Sequence, residues 1–373
     1  MILTPFGERP DTRDARAGKA HVAGLFWAFG ASLLALPFAR QQDAPDWGAT
    51  DHTRKLAYTD DEDESPLDKP FAMDVREFDA AVAEDPDWEV AGSLAELVER
   101  ESAARYGRES ERLASSGLVD LTRLAAGERV FLLECAGCHG SEGDGGGPAA
   151  THLVPRPRNL RRGLFKFAST PVGSRPLRED LFDTLTRGLV GSAMPSFRLL
   201  PEEKRWDVVE YVRWVAIRGE FEQVMLDIAW DDGELPDPDE VAEIVEHRWR
   251  RENQKVSYPS VAEPPFDEES VARGRELFRG SAGCSACHGD TGRGDGPSAD
   301  EFRDGWGYRI YPRNLAGASF RVGDEPERLW SVIANGIGGT PMFGQAGAAS
   351  PEGIWDLAHF VQHVAAGGEE AGR

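Results

Sequence analysis

Apolar and polar positions divide this chain into helical stretches separated by polar, proline-broken segments. The first apolar stretch, Val22 to Ala39 (VAGLFWAFGASLLALPFA), carries no charge and is at the short limit for crossing a bilayer. Arg9, Arg13, Arg16 and Lys19 precede it and an acidic segment follows, which fits an N-in orientation under the positive-inside rule. A cleaved signal peptide is the rival reading. The long flank before the apolar run and the poor small-residue site Pro37-Phe38-Ala39 favour an uncleaved anchor. Next, Arg40 to about Gly117 is acidic, with prolines at 45, 66, 70 and 86, and reads as a tether. Within it Ser93 to Arg112 predicts a helix, with Ser93 as N-cap and Glu96 as its capping-box partner. Further helices are expected around Trp206 to Val215, around Trp355 to Val364, and over Asp239 to Glu252, where Val241, Ile244, Val245 and Trp249 recur at helical spacing.

Beyond the tether the sequence repeats itself. Gly127-x-x-x-Phe131, Cys135 to His139, Gly147-Pro148, Pro157-Arg158-Asn159-Leu160, Met194-Pro195 and a helix with Tyr211 recur in the same order. Their counterparts are Gly274-x-x-x-Phe278, Cys284 to His288, Gly296-Pro297, Pro312-Arg313-Asn314-Leu315, Pro341-Met342 and a helix with Phe360. The first cysteines lie 149 residues apart and the methionines 148. An internal duplication explains that agreement. The intervening Phe221 to Pro265 reads as an insert that packs on both copies.

The 373-residue chain is long enough for two or three domains. With 65 acidic against 42 basic residues, its formal charge of -23 argues against nucleic acid and anionic membrane surfaces as partners. A basic protein surface suits it better.

All four cysteines sit in Cys135-Ala136-Gly137-Cys138-His139 and Cys284-Ser285-Ala286-Cys287-His288. This motif points to covalent haem: two thiols bond the vinyl groups, and the next imidazole reaches the iron from the same helical turn. Two motifs predict two haem c groups, each with iron. A single four-cysteine zinc site requires the motifs to meet in space and leaves both histidines unexplained. A thioredoxin-like dithiol requires a β-α-β pattern that the sequence lacks.

A low-spin haem needs a second axial ligand for each iron. Only Met194 and Met342 occupy equivalent places, each after a small-residue turn and beside a proline that stiffens the backbone. Core-filling methionines are the alternative. His139 and His288 are then the proximal ligands, and each imidazole needs an acceptor for its other ring N–H. The carbonyls of Pro148 and Pro297 are the expected acceptors, although both prolines also suit plain turns. Arg158 with Asn159, and Arg313 with Asn314, offer donors for haem propionates or else are solvated surface groups.

On these residues each copy resembles a class I c-type cytochrome domain. The resemblance implies an all-α fold of two tandem domains behind a transmembrane helix and an acidic tether, and an activity of one-electron transfer without catalysis. The expected divisions are a cytoplasmic segment 1–21, the anchor or signal peptide 22–39, the tether 40–117, a first domain 118–220, the insert 221–265, a second domain 266–367 and a tail 368–373. In layout the chain is similar to the diheme subunit of cbb3-type oxidases, from which its long tether and its insert depart. The resemblance implies an anchored electron-transfer subunit in a bacterial cytoplasmic membrane, with the haem domains on the periplasmic side. Redox protein partners are expected: a membrane respiratory complex and a soluble carrier with a basic docking surface. A diheme peroxidase is the alternative, with His152, His359 or His363 as base or switching ligand. His359 and His363 are spaced for one helix face, which also suits an exposed stripe. A haem-based gas sensor would need an output domain, and none is visible.

Overall fold

Leu94–Tyr106 and Glu111–Ser116 form helices α1 and α2 in the computed structural model. The structure describes residues 94–232, 235–253, 256–257 and 259–368, all within one unit spanning Asp63–Arg373. The segment 22–39, the tether up to residue 93 with the Ser93 cap, and the last residues of the tail lie outside the described residues. Among the described residues the chain is helical without a strand, and β pairing is limited to two isolated bridges. No helix among them is long and apolar enough to cross a membrane.

Two helices replace the single one expected over 93–112. The Ser110 hydroxyl donates to the Arg105 carbonyl at 2.7 Å and accepts from the Leu113 N–H at 3.3 Å, so one side chain both closes α1 and caps α2. Val98, Tyr106 and Leu113 are fully buried. Residues 94–117 are therefore part of the first copy and not of a tether. Three apolar anchors spread through an acidic segment are too sparse to show as a stripe.

The first copy then runs through α3 (Leu121–Glu134), the single turn α4 (Ala136–His139), α5 (Arg178–Arg187) and α6 (Glu202–Asp232). Helix α6 has 31 residues, about 46 Å at 1.5 Å per residue. The domain boundary expected at 220/221 falls inside it. The next helix, α7 (Pro238–Trp249), starts on an Asp237 cap with proline in its first turn. It buries Val241, Val245 and Trp249 in the first core and leaves Ile244 exposed. Glu220 on α6 fixes it there. This buried carboxylate accepts hydrogen bonds from both Nε and Nη2 of Arg175, from Arg248 Nη1 at 2.9 Å and from Trp249 Nε1 at 2.7 Å. The later part of the insert packs on the second copy, where the Trp355 indole donates to the Val261 carbonyl at 3.1 Å.

The second copy comprises α8 (Glu268–Arg279), the turn α9 (Ser285–His288), α10 (Pro326–Asn335) and α11 (Pro351–Ala365). In both copies the helix before the cysteines crosses the closing helix at a glycine. A Cβ on Gly127 would overlap the Asp207 carbonyl of α6, and one on Gly274 would overlap the Asp356 carbonyl of α11. Beside each crossing an aromatic pair fills the gap: Phe131 with Tyr211 at 5.2 Å and Phe278 with Phe360 at 5.0 Å between centroids.

The near-constant register of the repeat conceals two differences in loop length that offset each other. Pro157 and Pro312 lie 155 residues apart, whereas the prolines ending the preceding glycine loops, Pro148 and Pro297, lie 149 apart. The second copy thus has six extra residues before Pro312, and the first copy has seven extra between Pro157 and Met194. Each longer loop docks on the other copy. From the second copy, the Trp306 indole donates to the Asn159 carbonyl at 3.2 Å, and the Gly305 carbonyl accepts from Arg162. From the first, Phe167 packs on the second core, the Ser169 carbonyl accepts from the Asn335 amide at 3.2 Å and Val172 N–H donates to the Asn335 carbonyl at 3.1 Å.

Two measurements check these packing arguments by chemical denaturation. Gly127→Ala should destabilise the protein by about 2–3 kcal/mol through overpacking, whereas the same change in an exposed helix interior stabilises by about 1 kcal/mol; a stabilised variant would show that the helices do not touch there. Glu220→Ala strands a buried guanidinium and should cost about 3–5 kcal/mol, most of it recovered when Arg175 is also changed to Met.

Candidate haem-attachment sites

Cys135 ends α3, with its N–H donating to the Phe131 carbonyl at 2.8 Å, and its own carbonyl receives the N–H of His139 at 2.9 Å. One turn therefore carries both thiols and the imidazole. The second copy repeats it, with His288 N–H donating to the Cys284 carbonyl at 2.9 Å. No two of the four cysteines form a disulfide. Burial pushes Cys135 up to about 12 and Cys284 up to about 11, and moves Cys287 in the same direction. Reactive dithiols and thiolate ligands call for the opposite, an electropositive and partly exposed setting. Among the described residues no three His, Cys, Asp or Glu side chains gather as a metal site would require, so the two motifs do not close a common zinc site.

A glycine-rich loop wraps under each turn. Gly145 N–H donates to the His139 carbonyl at 2.8 Å, Gly147 N–H to Cys138 at 3.2 Å and Ala149 N–H to Gly137 at 3.0 Å. Gly294, Gly296 and Ser298 make the equivalent bonds in the second copy at 2.8, 3.1 and 3.0 Å. Pro148 and Pro297 sit between two of these anchored residues and brace the loop. They are not the acceptors for the histidines. His139 Nδ1–H donates to the carbonyl of Arg158 at 3.0 Å, and His288 Nδ1–H to that of Arg313 at 3.1 Å. The cause is steric. The proline loop already pairs with the carbonyls of the turn, and the segment that reaches the imidazole edge is Pro-Arg-Asn, drawn in by Leu160 N–H to Gly143 at 2.7 Å and Leu315 N–H to Gly292 at 2.6 Å. Gly145 and Gly294, both at positive φ, permit that approach, since a Cβ on either would press on the Pro-Arg-Asn backbone.

Since a carbonyl can only accept, each imidazole carries its proton on Nδ1 and presents a bare Nε2. Burial also pushes His139 and His288 below the ordinary histidine value, against a weaker opposing effect of the carbonyl bond. Neutral, oriented and buried is the state an iron ligand requires.

Met194 and Met342 lie on matching loops that return along the end of α5 and of α10. Leu189 N–H donates to the Met194 carbonyl at 3.1 Å and Ile337 N–H to the Met342 carbonyl at 2.9 Å; Phe197 and Gln345 bond back to Leu185 and Ile333 at 3.0 and 2.9 Å. Ser192 and Thr340 hydroxyls each accept the methionine N–H at 3.2 Å. Met194 is half-buried against the first core, while Met225, without a counterpart, is wholly buried in it.

The asparagines expected to meet propionates use their side-chain oxygens to shape turns. Asn159 Oδ1 accepts from Arg161 N–H at 3.0 Å, and Asn314 Oδ1 from Ala316 N–H at 2.9 Å. The Arg158 guanidinium pairs with Asp304 of the second copy and lies 4.3 Å from the Trp306 ring centroid. Arg313 donates to the Ser319 carbonyl at 2.5 Å. His359 is not on an exposed stripe: it is fully buried, with Nδ1 on Ser270 and Nε2 3.3 Å from Glu263. His152 is exposed on a short turn. Asp304, Trp306, Lys166 and Arg321 are functional candidates that motif matching passes over. Lys166 and Arg321 do have a sequence signal, the local offset of 155 that aligns them as it aligns Arg158 with Arg313, whereas Asp304 and Trp306 have no counterpart in the first copy.

Residues 122–212 and 269–361 each match the family model described as cytochrome c oxidase, cbb3-type, subunit III. A solved chain of the Kuenenia stuttgartiensis reducing HAO-like protein complex Kustc0457/Kustc0458 is similar, with 29% identity and a TM-score of 0.53 over 64% of this chain and 95% of that one. No curated protein matches the chain significantly. A turn that carries two thiols and an imidazole held with Nε2 free agrees with the family matches, which begin and end on equivalent helices: the two matched segments are c-type cytochrome domains, a kind of domain that binds haem c covalently.

Proposed function

We propose that this chain is a diheme electron carrier, one haem c per copy, and not itself an enzyme. The observation that carries the reading is that the second copy repeats the site of the first bond for bond, from the histidine anchor to the methionine loop. In this reading Cys135 and Cys138 hold one haem, Cys284 and Cys287 the other, and the axial pairs are His139 with Met194 and His288 with Met342. Haem iron so ligated supplies a one-electron couple of fairly high potential. The residues of the chain orient the imidazole at Nδ1, keep the thioether on a braced loop, and exclude water with Phe131, Tyr211, Phe278 and Phe360.

A peroxidase needs one iron with an exchangeable position and a nearby base. Two equivalent methionine loops and a His359 with both ring nitrogens engaged favour the carrier. The reading further places the haem copies on the exported side of a bacterial cytoplasmic membrane, anchored through 22–39, on the charge pattern around that segment. Its partners are a membrane respiratory complex and a soluble carrier with a basic surface. A net charge of -23 supports the second. The similar chain in a redox complex of Kuenenia stuttgartiensis is in keeping with the first.

Two outcomes are expected. The purified protein should contain two haems per chain by pyridine haemochrome assay, and Met194→Ala or Met342→Ala should each lower one midpoint potential and open one haem to carbon monoxide. Carbon monoxide binding at one haem of the unaltered reduced protein would return the peroxidase reading. Electron transfer to a basic carrier should slow by roughly tenfold or more between low and high salt, as steered association does; salt-independent rates measured by stopped flow would remove the basic partner.

A further inference from the structure

Four cations converge where the two copies meet. Arg158 and Lys166 come from the first copy, and Arg313 and Arg321 occupy the equivalent positions of the second, eight residues apart in each case. Their charges act on one another across the boundary: Arg158 and Arg321 both depress Lys166, and Arg313 and Arg158 both depress Arg321, in each case after burial itself as the largest cause. Two carboxylates oppose them: Asp324, whose charge acts on Arg313, and the buried Asp304. Asp304, whose side chain is fully buried, pairs with Arg158 and lies 3.6 Å from Lys166 Nζ, while its other oxygen accepts from Trp306 and Tyr308 N–H. The Nε atoms of Arg313 and Arg321 are buried without a partner among the described residues.

Buried charges in this proportion are costly unless further anions join them. The site geometry indicates which anions. The carbonyls of Arg158 and Arg313 hold the two proximal histidines, so each guanidinium belongs to the residue that borders its own attachment turn. Arg313 also reaches the other site, since its Nη1 lies 3.7 Å from where a Cβ on Gly191 would be, in the methionine loop of the first copy. A haem brings two carboxylates on its propionate edge, and guanidinium and ammonium donors in a water-poor setting bind carboxylates well.

We propose that Arg158, Lys166, Arg313 and Arg321 form one shared seat for the propionates of both haems. The proposal rests on the two-haem reading above. Copy-specific seats are the usual consequence of duplication; here the two longer loops bring both seats into a single buried charge cluster and add Asp304, which has no counterpart in the first copy. Each cation then faces carboxylates of both haems. A charge removed from one copy is felt at both irons.

The test is a spectroelectrochemical titration of the full haem-loaded protein, with the two waves assigned in Met194→Ala and Met342→Ala backgrounds. A cation near an iron disfavours its ferric form, so Lys166→Gln and Arg321→Gln should each lower both midpoints. The ferric-to-ferrous ratio at fixed potential should rise roughly three- to tenfold at each haem, because a charge in a low-dielectric site acts over several ångströms. Asp304→Asn should raise both, and Lys166→Arg should restore the unaltered values. Opposite signs separate an electrostatic seat from simple loosening, which shifts potentials in one direction only. If a glutamine variant loses haem, Asp304→Asn still decides the sign, and Lys166→Arg still tests whether the charge alone matters. Shifts confined to the copy that carries the substitution would overturn the shared seat, as would no shift at all in loaded protein. Fewer than two haems in the unaltered protein would instead overturn the reading beneath it.

Discussion

Helices α3 and α6, and again α8 and α11, pass each other with their backbones in contact, and the position of everything else in each site follows from that crossing. Any side chain at Gly127 or Gly274 would push the pair apart by the width of a methyl group. The attachment turn follows the crossing helix directly in the first copy and after the short segment 280–284 in the second, so the separation of the helices bears on where the thiols emerge. The aromatic pairs beside the gap are placed by the same contact. Since interiors are close-packed, a shift there is transmitted and not absorbed.

What the site then requires is orientation, and the backbone supplies most of it. In each copy one carbonyl fixes an imidazole from 19 or 25 residues further along the chain. Glycine loops tie the turn from below, and serine or threonine hydroxyls steady the methionine loop. Thiols whose pKa is raised by partial burial, and neutral imidazoles, suit permanent attachment and work against reversible dithiol chemistry.

Between the copies the balance of charge reverses. The chain as a whole carries a large acidic excess, whereas the boundary collects arginines and a lysine around one buried aspartate. Duplication supplied the cations in equivalent pairs. Unequal loops, longer by six residues in one copy and seven in the other, brought the pairs together. The same loops make the backbone bonds that hold the copies, so docking and charge clustering have one structural origin.

The two Cys-x-x-Cys-His motifs, the repeat and the helical class were legible in the sequence, because each depends on local spacing or on a motif that tolerates little variation. The crossing glycines were legible for the same reason, since only a residue without a side chain permits the contact. Other features depended on residues far apart in sequence. Helices α1 and α2 belong to the first copy because three scattered apolar residues find α6, and α6 runs past its expected end because α7 packs beside it through Glu220. The acceptors of the histidines are Arg158 and Arg313, not the prolines, because the proline loop is already paired with the turn and a backbone carbonyl carries no signature in side-chain pattern. His359 is buried because Ser270 and Glu263 come to meet it from other segments. Sequence alone pointed to haem chemistry and showed its motif twice. Only the tertiary structure decided which carbonyl aims each imidazole and which charges face one another, since both depend on loops whose lengths differ while their sum barely changes.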